Sequence, residues 1–354
     1  MIKTLFLKCI LWLLRPLFPK HKQVGRILIV STTALGDTLW ATPAIENLRR
    51  SFPKAYLAVL TAPIGGEVFQ SNPHIDQIFI LKEPLLPRFF SLWRTLYKEQ
   101  FDTVLLFHAS QRLTLPLCSL LGASRIIGTA GMNKGLDSLL TEPLGSHAQH
   151  EIVRRLNIAQ SIGAQTPIET LSFFLEPSER LPPRPQGPSI ALHPGSKDAF
   201  KRWPAENFIA LGRRLKEAFS CEILITGTRE ERPLMEQIAQ QIPGALIDAS
   251  HRSLRQFAAL LQQIDLLISN DTGPVHLACA LGRPVVAIYS STDPFLCGPH
   301  KAPNATVISR RPTCDPCLKR KCRDPFCFLQ IGPEEVFKAA VQKLKRGVCV
   351  PASS

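Results

Sequence analysis

Several things are missing from this chain, and each absence narrows what it does. No D-x-D occurs anywhere in its 354 residues, and there is neither a G-x-G-x-x-G dinucleotide fingerprint nor a G-x-x-x-x-G-K-[ST] phosphate loop. A D-x-D pair would clamp a nucleotide diphosphate through a divalent metal. Without one, such a leaving group would have to be held by Lys, His and helix dipoles. Acidic residues are scarce, 28 Asp and Glu against 42 Lys and Arg, leaving a net charge of +14. Anionic partners follow from that balance, whether phosphate groups, anionic lipid or nucleic acid, and the balance alone does not choose among them. Ten cysteines are too few for a disulfide scaffold, and six stand singly in apolar stretches, a pattern that suits a reducing compartment. Long hydrophobic runs are lacking as well. Leu5–Phe18 (LFLKCILWLLRPLF) is broken by Lys8 and Arg15, well short of the ~20 apolar residues of a spanning helix. No small-residue cleavage site follows, so a removable signal peptide is not expected.

What remains is a globular composition, 45% hydrophobic and 20% charged, with length enough for two domains. Residues 1–24 form an amphipathic basic segment. On a helical wheel Thr4, Lys8 and Arg15 share one narrow face, and Leu5, Phe6, Cys9, Trp12, Leu13 and Leu17 cover the rest. Two readings stand for it: an interfacial helix on an anionic membrane, or an extra helix packed on the domain.

From Arg26 onward short β-branched runs alternate with helical patterns. Strands are predicted at Ile27–Ser31, Tyr56–Thr61, Gln77–Leu81, Thr103–Phe107 and Arg125–Gly128. Between and after them lie helical stretches at Thr38–Arg50, Arg88–Glu99, Leu113–Leu121 and Glu151–Ile162. Strands separated by helices of this length make βαβ units and a parallel sheet. Glu176–Ser189 (EPSERLPPRPQGPS) then carries five prolines in 14 residues and reads as a semi-rigid linker. The pattern restarts beyond it, with strands at Ser189–His193, Cys221–Thr226, Ala245–Asp248, Asp265–Ser269, Val285–Tyr289 and Thr306–Ser309. Its helices are Ala205–Phe219, Glu230–Gln241, Leu254–Gln263 and Gly273–Leu281. The fold class is therefore α/β, with an N-terminal half at 25–175, a linker at 176–189 and a second doubly wound half at 190–354. Two such sheets facing each other would leave one cleft lined by strand C-termini.

Chemistry should sit at the strand-to-helix turns. Ser31-Thr-Thr-Ala-Leu-Gly-Asp37-Thr follows the first strand and brings Asp37 to a helix N-terminus, either as a cleft-facing carboxylate or as an N-cap. Ser269-Asn-Asp271-Thr272-Gly273-Pro274-Val-His276 follows a later strand. Its Thr-Gly turn presents bare N–H groups and the positive end of a helix dipole, which suits a pyrophosphate. Pro274 fits the first helical turn, and His276 lies one turn in. Capping by Asp271 or Thr272, with a packed His276, is the structural alternative. His193-Pro-Gly195-Ser and Lys201-Arg-Trp203-Pro complete the set, with Lys201 offering a charge to a phosphate from the opposite wall. Cys314-Asp-Pro-Cys317, Cys322 and Cys327 lie in a basic segment at 310–327. C-x2-C is metal-ligand spacing, but the following intervals are not those of zinc sites. Free thiols, zinc and a redox site are the open readings.

Val30-Ser-Thr-Thr-Ala-Leu-Gly-Asp-Thr-Leu-Trp-Ala-Thr-Pro-Ala44 resembles the N-terminal motif of the ADP-heptose:lipopolysaccharide heptosyltransferases, glycosyltransferase family 9. So do His193-Pro-Gly195, Lys201-Arg-Trp-Pro204, Asn270-Asp-Thr-Gly-Pro-Val-His-Leu-Ala278 and Thr292-Asp-Pro294 with Gly298-Pro299, in the family's order over nearly the whole chain. The resemblance implies two facing Rossmann-like domains of the GT-B kind and inverting transfer of heptose from ADP-heptose without a metal or other cofactor. It makes Asp37 the general base and gives Lys201 the donor phosphates. Asp271, Thr272, Gly273 and His276 would surround pyrophosphate and sugar, with His193 and Gly195 also in the donor site. A Glu that contacts the nucleoside maps to Glu230 or Glu231, and Glu230 is taken as the candidate. The implied acceptor is an anionic glycolipid, the lipopolysaccharide core precursor. The implied location is cytoplasmic, peripheral on the inner face of the inner membrane, with no nucleic-acid partner. A GT-B transferase of another nucleotide sugar, or an inactive nucleotide-sugar-binding protein, is the alternative.

Overall fold

The computed structural model describes residues 25–182, 187–248, 253–310, 314, 317, 322 and 326–347. The amphipathic segment at 1–24, part of the Pro-rich stretch and most of the basic residues around the cysteines lie outside them. The chain divides into two compact units, Met1–Phe174 and Leu175–Ser354.

Unit 1 is built on six parallel strands, β1 (Arg26–Ser31), β2 (Tyr56–Thr61), β3 (Gln77–Ile80), β4 (Thr103–His108), β5 (Arg125–Thr129) and β6 (Glu142–Leu144). Their order is β3-β2-β1-β4-β5-β6. Beyond Arg26 and Tyr56 every residue of β1 and β2 is buried, as a parallel strand covered on both faces requires. The helices are α1 (Leu35–Leu39), α2 (Thr42–Ser51), α3 (Pro63–Phe69), α4 (Phe89–Lys98), α5 (Thr114–Ser119) and α6 (Glu151–Gln160).

Unit 2 repeats the plan with β7 (Ser189–His193), β8 (Glu222–Thr226), β9 (Leu246–Asp248), β10 (Leu266–Asn270), β11 (Val285–Tyr289) and β12 (Ala305–Ser309). All are parallel, in the order β12-β11-β10-β7-β8-β9. Its helices are α7 (Ala205–Phe219), α8 (Arg232–Ala239), α9 (Leu254–Leu261), α10 (Gly273–Ala280), α11 (Pro294–Cys297) and α12 (Pro333–Gly347). Its core gathers Ile190, Leu192, Trp203, Phe208, Ile268 and Phe328. Among the described residues no helix is long and apolar enough to cross a membrane.

The anticipated strands fall within one residue of their expected ends. Two predicted helices are instead interrupted, and proline is the cause in both. The helix expected over Thr38–Arg50 stops at Trp40 and restarts at Thr42, with Pro43 in its first turn. A proline inside a continuous helix would lose a hydrogen bond and clash with the carbonyl four residues back. Thr42 Oγ1 donates to the Leu39 carbonyl at 2.8 Å instead. Likewise Pro233 opens α8, and the residues before it form a separate 3-10 turn, Arg229–Glu231. Strand β6 was not anticipated. It is a three-residue edge strand centred on Pro143, a position where a missing N–H is tolerated. Helices α3 and α12 were not anticipated either. The start of the Pro-rich stretch is fixed to unit 2. Pro177–Glu179 forms a 3-10 turn, and Glu179 Oε1 takes the Nε of buried Arg255 on α9 at 2.5 Å.

In each sheet the chain winds outward in both directions from one strand pair, β1/β4 in unit 1 and β7/β10 in unit 2. Loops leaving the C-terminal ends of such a pair diverge, and the crevice between them is where open α/β sheets bind ligands.

Candidate functional site

Asp37 lies at this point in unit 1. It occupies the first turn of α1, directly after β1, and the helix is capped by Ala34 with no side-chain bond. Asp37 is therefore not an N-cap. Its Oδ1 stands 3.6 Å from His108 Nδ1 at the end of β4 and 3.7 Å from Arg155 Nη2 on α6. Burial by itself would push the Asp37 carboxyl up. His108 and Arg155, with Thr33, outweigh that and hold it below the ordinary carboxylate value. Arg155 is fully buried, and its guanidinium lies 5.5 Å from the Trp40 ring centroid. It donates through Nη1 to the carbonyl and to Oε2 of Glu151 at 2.7 and 2.8 Å. This array is a carboxylate kept ionised beside two cationic or polar groups, so it stands in the unprotonated form that a proton acceptor needs.

In unit 2 the loops after β7 and β10 carry the remaining candidates. Lys201 Nζ lies 2.5 Å from Asp271 Oδ2, the oxygen that also accepts from Thr292 Oγ1 at 2.5 Å. Lys201 thus belongs to the same unit as Asp271, and its ammonium is already beside the Thr272–Gly273 turn. That placement depends on Asn270, a fully buried residue at the end of β10. Its Oδ1 accepts from the Trp203 amide at 3.0 Å and its Nδ2 donates to the Pro194 carbonyl at 2.8 Å. One side chain therefore ties both ends of the loop after β7 to β10, while Trp203 Nε1 anchors to the Ile331 carbonyl at 2.8 Å. Thr272 is the residue before α10 and makes no side-chain cap. Its hydroxyl turns back to Asn270 O and Ser269 Oγ, at 3.2 and 3.1 Å. Gly273 opens α10 with Pro274 in the first turn, and His276 is buried one turn in. The arrangement sets the Lys201–Asp271 ion pair beside a helix N-terminus, whose amides can receive an anionic group.

Beside it, His193 ends β7 with Nδ1 3.0 Å from Thr226 Oγ1. Burial pushes its imidazolium down to about 4, against the opposing pull of Glu231. His193 is accordingly neutral at pH 7. Glu231, not Glu230, is the carboxylate brought to this point. The 3-10 turn that Pro233 enforces buries Glu231, whose Oε2 accepts from the Thr228 amide at 2.9 Å. Glu230 is exposed. A Cβ on Gly195 would lie 2.2 Å from the Glu231 carboxyl carbon, so the close approach of that loop to Glu231 requires glycine.

His108, Arg155, Asn270 and Thr292 were not singled out from the sequence by role. His108 had one available signal, a polar residue closing the strand next to β1. Arg155 had none, because it sits in a helix more than 100 positions from Asp37. Among the described residues Cys118, Cys221, Cys279 and Cys314 are free thiols. Cys327 is buried and accepts from Ser290 Oγ at 2.9 Å, and no group of His, Cys, Asp and Glu among the described residues is arranged to hold a metal.

Residues 89–326 match the family model described as glycosyltransferase family 9 (heptosyltransferase). Among curated proteins the chain is similar to lipopolysaccharide heptosyltransferase 1 of Pseudomonas aeruginosa, 24% identical over 350 residues, covering 88% of this chain and 96% of that one. Among solved structures it resembles a family 9 glycosyl transferase of Veillonella parvula, with TM-score 0.77 and 22% identity over 93% of this chain and 99% of that one. It also resembles the Escherichia coli ADP-heptose LPS heptosyltransferase II, with TM-score 0.73 and 18% identity over 92% and 100% of the two chains. The two parallel six-stranded units share the GT-B architecture of these structures.

Proposed function

Because the chain belongs to glycosyltransferase family 9, the heptosyltransferases, we propose that it transfers heptose from ADP-heptose to the inner core of lipopolysaccharide with inversion. Two relatives point that way by name, a lipopolysaccharide heptosyltransferase and an ADP-heptose LPS heptosyltransferase. The observation that carries the reading is Asp37, an ionised carboxylate at the switch point of unit 1, flanked by His108 and Arg155. In this reading Asp37 takes the proton of the attacking acceptor hydroxyl as the glycosidic bond forms, a contribution of typically ~10²–10⁴-fold. Unit 2 holds the donor. As the bond to ADP breaks, negative charge grows on the diphosphate, and Lys201 with the Thr272 and Gly273 amides stabilises it. Attack from the face opposite the diphosphate inverts the anomeric centre. His193, Gly195 and His276 belong to the donor site, and Glu231 replaces Glu230 as the carboxylate for the nucleoside.

The acceptor in this reading is an anionic glycolipid on the inner face of the inner membrane, and the enzyme works as a cytoplasmic protein at that surface. A patch on unit 1 supports the placement. Leu86, in the 3-10 turn Leu86–Arg88, and Phe90, at the start of α4, are 71% and 79% exposed. Exposed Lys82, Arg88, Arg94 and Lys98 lie around them in sequence, with Glu83 the one exposed carboxylate in that stretch. Exposed apolar side chains in a stretch rich in exposed cations fit an anionic lipid surface.

The test is a mass-spectrometric transfer assay with a panel of ADP- and UDP-sugars and deacylated core acceptors, run on the parent and Asp37→Asn. Transfer of heptose from ADP-heptose, lowered at least ~10²-fold in the variant, supports the reading. Preference for another donor would move the enzyme to a different nucleotide sugar. An Asp37→Asn rate within a few-fold of the parent would remove the base.

A further inference from the structure

The Asp37 site contains a buried cation whose hydrogen-bonding capacity is largely unused. Arg155 is fully buried, yet only Nη1 is used, bound to Glu151. Its Nε and Nη2 have no hydrogen-bond partner, and neither has His108 Nδ1. Buried donors are almost always satisfied, and a charged one left open is costly. A structure retains such an arrangement only where the surroundings hold it in place.

The open face of Arg155 is directed at Asp37, with Nη2 3.7 Å from Oδ1. His108 Nδ1 approaches the same oxygen to 3.6 Å. Both distances exceed hydrogen-bonding length but remain within strong electrostatic reach. That stand-off has a chemical consequence. A carboxylate whose lone pairs are saturated by short bonds from Arg and His is a poor proton acceptor. One held by charge at 3.6–3.7 Å stays ionised and aimed while its lone pairs remain open to a substrate hydroxyl. The rigidity of the guanidinium is supplied from behind by Glu151 and by the Trp40 ring. Trp40 itself closes α1, the helix that carries Asp37.

We propose that Arg155 is a positioning residue for Asp37: with His108 it keeps the carboxylate ionised and oriented without consuming the lone pair that receives the acceptor proton. The proposal rests on the reading of Asp37 as the general base. The groups facing the carboxylate are Arg155 on α6, with Glu151 behind it, His108 on β4 and Thr33 on the loop after β1.

Two measurements on the full-length protein test it. The first is the ¹³C titration of Asp37 in protein labelled at aspartate carboxyls, assigned by loss of the signal in Asp37→Asn. The second is the pH profile of kcat with donor KM. Arg155→Met should move the Asp37 titration, and with it the acid limb of kcat, upward by about one pH unit. It should lower kcat at least ~10-fold while donor KM changes less than ~2-fold. Arg155→Lys keeps the charge but not the planar fork, so the limb should stay near its parent position while kcat still falls. Should Arg155→Met not fold, Arg155→Lys and His108→Gln carry the test, and His108→Gln should move the limb upward. If Asp37 titrates as in the parent in every folded variant, Arg155 only packs Glu151 and Trp40, and the proposal is overturned. If the titration moves but Asp37→Asn retains turnover, the positioning stands and the base assignment fails.

Discussion

Gly195 is where one added carbon should separate the donor-site geometry proposed above from a merely tolerant loop. A Cβ built there lies 2.2 Å from Glu231 Cδ and Oε2 and 2.3 Å from Oε1, whereas non-bonded heavy atoms settle near ~3.5 Å. Glu231 would have to retreat by about 1 Å. It has little freedom to do so, being 8% exposed with its Oε2 fixed on the Thr228 amide at 2.9 Å. A retreat of that size breaks the bond and leaves the buried Glu231 carboxylate without its amide donor, while the Thr228 amide lies in an exposed stretch of the turn. Hydrogen bonds to charged groups contribute about 1.5–3 kcal/mol, so Gly195→Ala should destabilise unit 2 by about 2 kcal/mol. For a unit of this size that is a fall of about 4–8 °C in unfolding midpoint. Because Glu231 and His193 share the site, ADP affinity should drop at least ~10-fold, about 1.4 kcal/mol. Calorimetric unfolding and titration with ADP measure both. The decisive comparison is a double-mutant cycle with Glu231→Ala, which removes the obstructing carboxylate. In that background Gly195→Ala should cost less than about 0.5 kcal/mol. An equal cost in both backgrounds, or an alanine variant as stable and as tight as the parent, would refute the reasoning.

Three further outcomes are expected. His193 is held neutral, with its folded pKa at about 4 against 6.5 ordinarily. The unfolded chain therefore takes up a proton first as pH falls, and stability is lost between about pH 6.5 and pH 4. That loss amounts to about 3 kcal/mol; denaturant unfolding across this window should show it in the parent and much less of it in His193→Gln. Transfer activity should survive excess EDTA, because the proposed site offers the diphosphate the α10 amides and Lys201, once it exchanges its ion pair with Asp271 for the phosphate; loss of activity restored by magnesium or manganese would contradict this. Leu86→Glu/Phe90→Glu should weaken sedimentation with anionic vesicles at low salt while leaving transfer to soluble acceptors unchanged. Unaltered vesicle binding would place the membrane contact elsewhere.

Much of this molecule is decided locally, and that part was legible in the sequence. Runs such as Ile27–Val30 and Leu266–Ile268 are buried on both faces, and a continuous β-branched and aliphatic run between helical stretches has few other places to go. The turn motifs were equally legible. Chain connectivity puts Asp37 after β1 and Asp271–Gly273 after β10, and parallel strands send every such turn to the same end of the sheet.

Two things were not read from periodicity. One was the helical register next to proline, which is local. Periodicity runs on through Pro43 and Pro233, but the backbone cannot, and the break at Pro233 sets Glu231 rather than Glu230 against Gly195. The other was every partnership between distant segments. Strand order β2-β1-β4 is not written in any local pattern, yet it brings His108 to Asp37. The packing of α6 then sets Arg155, 118 positions further along the chain, at 3.7 Å from the same oxygen. Composition and periodicity specify which faces are buried. Which charged groups meet across those faces is settled only when the sheet order and the helix packing are, because an ion pair acts over a few ångströms and is indifferent to sequence distance.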